Sequence, residues 1–378
     1  MSAEGDDAAL QALLLPFVDG VLTWPSTGGV LFLRARDGWP LHQRPLPGLV
    51  CEQSFKPEAE ALERSGFTRV ELGEEASDEG RYALVLVLPP RQRDEARALF
   101  ARAVAHCAPG GRVVACLGNN EGAKSGETDL ARIAGPVGTL SKHKCRVFWT
   151  APLDGPADPE LARQWRQADA PRAIADGRFL SRPGLFAWDR IDPASRLLVE
   201  QLPAGLSGEA ADLGAGYGYL ASELLARCPG ISAVDLYEAE ARGLGLARAN
   251  LAPAASRAAL GFHWHDVTRG LEKQYDVIVS NPPFHAQGRA DRPDIGRAFI
   301  SAAAQALRPR GQLWLVANRH LPYEEMLSVH FGDVRTVAQR DGFKVIAAVA
   351  TPHAAPAAPA PAANRARSKG KARERNWK

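Results

Sequence analysis

One order of chain segments occurs twice in this sequence, and it constrains the fold more than any other feature. Each copy contains a short apolar run that ends in two prolines, then a helix-forming stretch, then a Pro-x-Gly turn that begins a second apolar run. The copies span residues 82–119 and 275–318, and the second carries about seven extra residues just after Pro283. Short apolar strands that alternate with helices are typical of a doubly wound, mostly parallel α/β sheet. The order therefore predicts two tandem Rossmann-like domains, although strand-helix units also recur by coincidence within such folds.

The length of the chain supports this division. A chain of 378 residues is long enough for two domains that each bury their own core. A proline-rich stretch at residues 151–159 follows the apolar run 145–149 and is typical of a linker. We therefore predict a first domain over residues 1–150, a linker over 151–178 and a second domain over 179–350.

The last 28 residues differ in composition from the rest of the chain. Residues 351–363 are almost entirely Ala and Pro, and residues 364–378 carry a net charge of +6. The formal net charge of the whole chain is +3, so residues 1–350 carry −3. A segment with so little apolar surface cannot offset the entropy lost on ordering, so we predict that residues 351–378 form a disordered tail. Its cations are suited to contact phosphates without regard to base sequence.

Cysteine use and the distribution of apolar residues limit the cellular setting. The five cysteines are odd in number, widely spread and include no Cys-x-x-Cys pair, which is typical of reduced thiols rather than of a zinc site or a redox site. The N-terminus is acidic, unlike a secretory signal, and no segment approaches the ~20 apolar residues of a membrane helix. We predict a cytoplasmic protein without a membrane partner. Because no third ligand accompanies His263 and His265, we also predict no metal site.

A glycine-rich turn follows the buried run 209–213 in the second half and leads directly into a helical run. Glycines between a strand and a helix N-terminus let a ligand approach the backbone closely. Tyr219, at the sixth position, departs from the G-x-G-x-x-G fingerprint of dinucleotide-binding domains. The G-x-G-x-G spacing instead favours S-adenosylmethionine as the ligand. The residues of this turn that we assign to cofactor binding are Asp212, Gly214, Ala215, Gly216 and Gly218.

Two acidic residues compete for the ribose of that cofactor. The next predicted strand, 231–237, contains Asp235 at its middle and is followed by Glu238. A carboxylate at a strand tip about 20 residues beyond the glycines is placed to accept hydrogen bonds from ribose hydroxyls. Position favours Glu238 over Asp235, and a solvated carboxylate is the alternative for either. After the following strand, Asp266 is placed to accept from the adenine amino group, and the backbone N–H of Val267 can serve the ring.

The strongest chemical signal is Asn281-Pro282-Pro283-Phe284, which follows the apolar run 275–280. A residue before proline is restricted to an extended conformation, and two successive prolines fix the chain after it. This rigid turn can present the Asn281 side-chain oxygen and the Pro282 carbonyl as two acceptors for one amino group. Such acceptors can hold the lone pair of an aromatic amine toward a methyl donor and stabilise the positive charge that grows on nitrogen. Phe284 can stack on the target base, or it can be a core aromatic.

The second half resembles a class I S-adenosylmethionine-dependent methyltransferase, because the glycine turn, Glu238, Asp266 and Asn281 follow successive strands. Three of its segments resemble the bacterial ribosomal RNA guanine-N2 methyltransferases, namely the small-subunit methyltransferase C and large-subunit methyltransferase G enzymes. These segments are residues 281–285, 316–323 and 342–345. Residues 183–186 and 192–195 resemble the segment that leads into the catalytic domain of those enzymes, and residues 118–125 and 145–148 resemble their first domain.

This resemblance covers most of residues 20–350 and implies a function. It implies S-adenosylmethionine as cofactor, ribosomal RNA or a ribosomal subunit as partner, and a first domain that is a degenerate, non-catalytic copy. The residues agree with decay, because Leu88 stands where the second copy has Asn281. The catalytic residues predicted are Asn281, Pro282, Pro283 and Phe284, with Asn281 also beside the cofactor. The substrate-contacting residues predicted are Phe186, Phe284, His285, Asn318 and Arg319.

The first half is expected to support folding and RNA placement, and a solvated face is the alternative role for its cations. The cations considered are Arg112, Lys124, Lys142, Lys144 and Arg146. Two other functions remain open for the whole chain: methylation of another planar nitrogen, such as an adenine amine or a protein glutamine amide, and noncatalytic RNA binding. Protein-glutamine enzymes generally carry Tyr after the prolines, so Phe284 counts against that activity, and the intact Asn281 counts against a noncatalytic role. We expect a monomer.

Overall fold

The structure, a computed structural model, describes residues 7–70, 80–283 and 293–351. These ranges contain two seven-stranded sheets and one two-stranded sheet. Apolar clusters line both faces of each large sheet. The predicted tail from residue 352 onward lies outside the described residues, as do Phe284, His285 and the extra residues expected after Pro283.

The first large sheet has parallel strands in its centre and an antiparallel pair at one edge. Its strand order is β3-β2-β1-β4-β5-β7-β6, and β7 runs antiparallel to both of its neighbours. Strands buried on both faces are continuously apolar, which is why β1 and β4 consist almost entirely of Val, Leu and Phe. The strands are β1 Gly29–Leu33, β2 Leu49–Glu52, β3 Thr68–Arg69, β4 Tyr82–Val87, β5 Cys107–Gly118, β6 Val137–Lys142 and β7 Cys145–Thr150. The helices of this half are α1 Ala8–Val18, α2 Trp39–His42, α3 Lys56–Arg64, α4 Arg93–His106 and α5 Ala123–Ala134.

The segment between the two large sheets contains one helix and a two-stranded sheet: α6 Pro159–Arg166, β8 Arg172–Ile174 and β9 Phe179–Ser181. Helix α6 begins where the Asp158 side chain accepts from Leu161 N. It buries Ala162 and Trp165 in the core of the first half. Part of the predicted linker therefore forms a helix that packs against the first half. The predicted domain boundaries stay predictions.

The second large sheet repeats the topology of the first. Its strand order is β12-β11-β10-β13-β14-β16-β15, with the antiparallel pair at the same edge. The strands are β10 Ser207–Leu213, β11 Gly230–Glu238, β12 Ala259–Trp264, β13 Tyr275–Ser280, β14 Leu307–Asn318, β15 Phe331–Arg340 and β16 Phe343–Ala350. The helices are α7 Pro193–Gln201, α8 Tyr219–Arg227, α9 Ala241–Leu251, α10 Pro293–Ala306 and α11 Glu324–His330. Among the helices of the described ranges, none has the length and apolar character to span a bilayer.

The repeat found in the sequence is confirmed and extends over all seven strands of each sheet. In the first half of the sequence the repeat is recognisable only from Tyr82 onward. The structure adds three strands and their helices before Tyr82. Strands β5 and β14 begin earlier than the sequence indicated, directly after the helices that end at His106 and Ala306. The Pro-x-Gly residues are accommodated as an irregularity in the pairing with β4 and β13.

At three strand tips of the described ranges, the first half has a different residue from the one in the second half. Leu33 ends β1 as Leu213 ends β10, and the next residue is Arg34 rather than Gly214. Arg34 keeps a left-handed φ of 53°, which an arginine rarely adopts, at the place where Gly214 has 76°. Likewise, Gln53 stands at the position of Glu238, and Leu88 at that of Asn281. The first half is therefore a degenerate copy of the fold.

Candidate active site

The glycine turn after β10 is tight on one side and open on the other. Gly214, Gly216 and Gly218 have φ of 76°, 56° and 89°, a region that residues with a Cβ rarely adopt. A Cβ at Gly218 would lie 2.5 Å from Leu251 Cδ1, whereas a Cβ at Gly216 would meet no heavy atom within 4 Å. The backbone at Gly216 is thus accessible to a ligand at the start of helix α8.

Glu238 and the glycine turn form one hydrogen-bonded unit. One carboxylate oxygen of Glu238 accepts from Gly216 N at 2.7 Å, and the other accepts from Glu240 N at 2.7 Å. Burial raises the pKa of Glu238, and these backbone donors oppose the rise. Ala215 is buried and donates its N–H to Tyr237 O, which ties the turn to the neighbouring strand. The carboxylate therefore lies where the sequence placed the ribose acceptor.

The competing acid, Asp235, contacts a different set of side chains. Its Oδ1 lies 3.1 Å from His263 Nε2, and its Oδ2 accepts from Lys273 Nζ and Tyr275 Oη, both at 2.9 Å. Burial raises the pKa of Asp235, but the bonds to these three side chains outweigh burial and hold the pKa below its ordinary value. None of these three partners belongs to the glycine turn, whereas Glu238 accepts from Gly216 N, so the geometry favours Glu238.

Asp212, the acid that precedes the glycine turn, is fully buried at the end of β10. Its Oδ2 accepts from Ala221 N at 3.0 Å, and its Oδ1 has no hydrogen-bond partner among the described residues. Burial raises the pKa of Asp212 to about 7, and the charge of Glu238 adds to the rise. A buried oxygen without a partner, next to a turn that is open to a ligand, fits a site that binds a cationic group.

The raised pKa of Asp212 predicts a pH-dependent cost to stability. The folded state favours the protonated carboxyl of Asp212 over the ionised one. The contribution of this carboxyl to the free energy of unfolding is therefore fully present below about pH 4 and is lost as the pH rises through about 7. We expect the free energy of unfolding of the ligand-free protein to fall, relative to that of Asp212→Asn, by about 2 kcal/mol between about pH 5.5 and about pH 8. Urea unfolding of both proteins at these two pH values measures the difference. A difference that does not change with pH would contradict the assignment.

Asp266 lies at the next strand tip. Strand β12 ends at Trp264, which pairs with Glu238, so Asp266 and Glu238 sit at adjoining tips. Asp266 Oδ1 accepts from the backbone N–H of Thr268 at 3.0 Å and from its hydroxyl at 2.7 Å, which begins the short 3-10 turn Val267–Arg269. The side chain of Val267 is buried. This placement is compatible with the predicted adenine contacts of Asp266 and Val267.

Asn281 follows β13 at the same edge of the sheet, and its side-chain amide is anchored. The amide nitrogen lies 3.0 Å from Asp192 Oδ2 and 2.8 Å from Ser195 Oγ. A carboxylate only accepts hydrogen bonds, so the atom that faces Asp192 is the amide nitrogen rather than the oxygen. The amide oxygen of Asn281 is thereby directed away from Asp192 and Ser195.

The anchor of Asn281 is itself fixed by the start of helix α7. Asp192 caps this helix, because its Oδ2 also accepts from Ser195 N at 2.7 Å. Sequence reasoning did not assign Asp192 or Ser195 to the site. The order Asp-Pro-x-Ser indicates a helix start, but nothing in that pattern shows that the helix begins beside Asn281.

The other predicted substrate residues are spread along the same edge and its surroundings. Pro282 is buried, Pro283 is exposed, and Phe284 and His285 lie outside the described residues. Asn318 ends β14, the strand next to β13, and Arg319 beside it is exposed and donates its N–H to Gly342 O. Phe186 precedes helix α7 and is 71% exposed, so its contact with a substrate stays a prediction.

The predicted cofactor-binding residues and Asn281 thus lie at the tips of four neighbouring strands. In the order β12-β11-β10-β13, these tips hold Asp266, Glu238, the glycine turn and Asn281. Ligands of open α/β sheets bind at the carboxyl ends of the strands, so this edge suits a nucleoside-type ligand with an amide acceptor at its end. The described residues include no cluster of three potential metal ligands.

Known proteins with similar sequences are methyltransferases, which is consistent with the arrangement of this site. Residues 176–347 match the family described as Methyltransferase small domain. A ribosomal RNA small subunit methyltransferase C from Psychromonas ingrahamii is 26% identical over 317 residues, which are 83% of this chain and 89% of the relative. The protein of that name from Pseudomonas aeruginosa is 30% identical over 273 residues, which are 71% of this chain and 80% of the relative. The chain belongs to the ribosomal RNA small subunit methyltransferase C family.

A solved structure extends the likeness to this methyltransferase C family over both halves of the chain. It is a T. thermophilus 16S rRNA N2 methyltransferase in complex with AdoMet, which is S-adenosylmethionine, and guanosine. The two structures align with a TM-score of 0.74 at 26% identity, over 92% of this chain and 93% of the other. Of the two enzyme types that the sequence resembled, the methyltransferase C relatives identify the small-subunit type.

Proposed function

We propose that this chain transfers a methyl group from S-adenosylmethionine to the exocyclic N2 amine of a guanine in small-subunit ribosomal RNA. The observation that carries the proposal is the anchored amide of Asn281 at the strand tip beside the glycine turn. Membership of the methyltransferase C family supports the enzyme class, the cofactor and the RNA. The T. thermophilus relative is named for N2 of guanine 1207 of 16S rRNA.

The residues of the second half fit this cofactor. The open backbone at Gly216 and the carboxylate of Glu238 suit the ribose side, and Asp266 suits the adenine amino group. The partnerless Oδ1 of Asp212 supplies a buried acidic group for a cationic ligand. S-adenosylmethionine, when bound, supplies the methyl group from its sulfonium centre.

The turn at Asn281 acts through position and charge. Asn281 Oδ1 and the Pro282 carbonyl accept the two N–H groups of the guanine amine, which holds the nitrogen lone pair toward the methyl group. As positive charge develops on that nitrogen, the two oxygens stabilise it without having to reorganise. Once the methyl group has been transferred, the nitrogen loses one of its two protons to water and becomes neutral. Asp192 and Ser195 keep the amide of Asn281 from rotating, so that the acceptor faces the substrate.

Labelled S-adenosylmethionine and separated ribosomal subunits test the choice of substrate. We expect label to enter the RNA of the small subunit, supplied either as naked RNA or as the assembled particle, and not the large subunit. Label that entered only large-subunit RNA, or only protein, would refute the proposed substrate. Of the functions that the sequence left open, label in protein would indicate a glutamine amide as the acceptor, and the absence of label from every fraction would indicate noncatalytic RNA binding.

Substitution of Asp192 tests its role as a positioning residue. In Asp192→Ala the amide of Asn281 loses a fixed partner, so we expect kcat to fall about tenfold while KM for S-adenosylmethionine stays within about twofold. The helix cap is lost as well, which costs about 1 kcal/mol of stability. Asp192→Asn keeps an oxygen that accepts from Asn281, so this variant should recover most of the rate. Equal rates for the two variants would contradict positioning.

We also propose that the protein works as a monomer in the cytoplasm. The two halves already contact each other within one chain, through residues 54–56 and 239–241, as the two copies of a dimer do. Sedimentation at working concentrations and cell fractionation test these two statements, and a stable dimer or a membrane-bound fraction would contradict them.

A further inference from the structure

The two halves of the chain meet beside the predicted ribose acceptor. Residues 54–56, which follow β2, run antiparallel to residues 239–241, which follow Glu238. The contacts are the Phe55–Glu240 bridge, the bond from Lys56 N to Ala239 O at 2.8 Å, and the bond from Ala241 N to Ser54 O at 2.9 Å. Each half therefore donates one backbone N–H to the other.

This contact pairs equivalent residues of the two copies. Gln53 stands at the position of Glu238, and helices α3 and α9 begin three residues later, at Lys56 and Ala241. The two bonds between the halves are thus related by an approximate two-fold axis that passes through the Phe55–Glu240 bridge. The halves contact each other here as the two subunits of an isologous dimer do. The first half has lost the chemical groups of the site but retains this contact.

Trp264 reinforces the contact from the neighbouring strand. Its indole Nε1 lies 3.0 Å from Ser54 O and 2.8 Å from Ala239 O, so one N–H is shared between carbonyls of the two halves. Lys56 Nζ and Arg69 Cζ of the first half lie 4.5 Å and 5.1 Å from the Trp264 ring, within reach of cation–π attraction. Trp264 also stands two residues before Asp266, so both predicted adenosine-binding strand tips adjoin the first half.

Ion pairs that are partly shielded from solvent surround the same segment. Arg242, in the first turn of α9, contacts Glu95 of the first half at 2.8 Å and Glu240 at 3.1 Å. Glu95 also contacts Arg34 at 3.0 Å, and its side chain is only 6% exposed. Loss of one partner would leave a buried charge without compensation, so the two halves are held in a single arrangement at this edge.

We propose that residues 54–56 and Trp264 are positioning residues for the cofactor site. Glu240, which bridges to Phe55, donates its backbone N–H to Glu238 Oε1. By fixing residues 239–241, the first half sets the orientation of the Glu238 carboxylate, and with it the affinity for the cofactor. This inference rests on the proposed role of Glu238, and it gives the degenerate half a part in cofactor binding beyond any part in folding.

The pair Ala241→Pro and Ala241→Ser tests the proposal. Ala241 is the first residue of α9 and follows Glu240 in an extended conformation, so proline suits both the helix start and the residue before it. Proline removes the N–H that bonds to Ser54 O, whereas serine keeps it. We expect the Kd for S-adenosylhomocysteine, measured by calorimetry at a temperature where both variants are folded, to rise about tenfold in Ala241→Pro and less than about twofold in Ala241→Ser.

Trp264→Phe provides a second variant, because it keeps an aromatic ring and removes the shared N–H. We expect its Kd for S-adenosylhomocysteine to rise about fivefold, with kcat at saturating cofactor within about twofold of wild type. If Ala241→Pro and Trp264→Phe unfold at lower temperature but bind as wild type does, the contact serves folding alone and the proposal is overturned. Binding of S-adenosylhomocysteine needs no RNA, so a wild-type protein that binds it but does not methylate RNA would refute the proposed function instead.

Discussion

Replacement of Asn281 by alanine is expected to lower kcat for methyl transfer by about 10²–10³-fold. In the proposed mechanism the side-chain oxygen of Asn281 accepts from an amine whose charge grows in the transition state, so its contribution is larger there than in the ground state. Affinity for S-adenosylhomocysteine should stay within about threefold, because Glu238, Asp266 and the glycine turn remain. Single-turnover transfer to small-subunit RNA, together with calorimetric binding, measures both quantities.

The unchanged cofactor affinity of Asn281→Ala serves as the control for folding of the site. The two Asp192 variants provide a graded comparison, because Asp192→Ala removes one of the two partners of the Asn281 amide and leaves the acceptor oxygen of Asn281 in the protein. Transfer by Asn281→Ala at nearly the wild-type rate would exclude the mechanism. A loss of affinity as large as the loss of rate would show that Asn281 acts in binding alone.

Replacement of Glu238 by glutamine is expected to weaken cofactor binding by about 10–100-fold. Both carboxylate oxygens accept from backbone N–H groups, those of Gly216 and Glu240. Glutamine offers one oxygen and one NH₂ group, so one backbone donor would face another donor. The first half contains this substitution already: Gln53 Oε1 accepts from Phe55 N at 2.9 Å, while its Nε2 turns to Ala35 O at 2.6 Å.

The matched control is Asp235→Asn, at the acid that competed with Glu238 for the ribose. Asp235 contacts His263, Lys273 and Tyr275, so this variant should unfold more easily. Its Kd for S-adenosylhomocysteine should stay within about twofold of the wild-type value. Weaker binding by Asp235→Asn with normal binding by Glu238→Gln would reverse the assignment of the ribose acceptor.

The fold was predictable in the parts of the chain where both copies keep the same pattern of apolar strands and turns. Continuous apolar runs and Pro-Pro pairs marked β4, β5, β13 and β14, because buried parallel strands must be apolar whether or not the domain is active. The first three strands of the first half were not found. After β1, Arg34 and Arg36 stand at the positions of Gly214 and Gly216, and Gly38 remains at the position of Gly218, so the G-x-G-x-G pattern is lost. The strand register and the left-handed φ of Arg34 show the equivalence to Gly214.

The site residues were predictable where their positions relative to successive strands can be read from the sequence. Glu238 and Asp266 follow from positions at successive strand tips, because neighbouring parallel strands bring their carboxyl ends to one edge. Asp192 and Ser195 were not predictable in this way. They lie 89 and 86 residues from Asn281 in the sequence, and their contact depends on how helix α7 packs. The pairing of residues 54–56 with 239–241 depends in the same way on the packing of two domains.

Analysis of the methylated nucleoside tests the central claim most directly. Small-subunit RNA that has received label from S-adenosylmethionine is digested to nucleosides, and the labelled product is identified by mass spectrometry against synthetic standards. The anchored acceptor pair at Asn281, in a member of the methyltransferase C family, predicts N2-methylguanosine as the labelled nucleoside. N6-methyladenosine, a methylated ribose, or label confined to protein would contradict the claim.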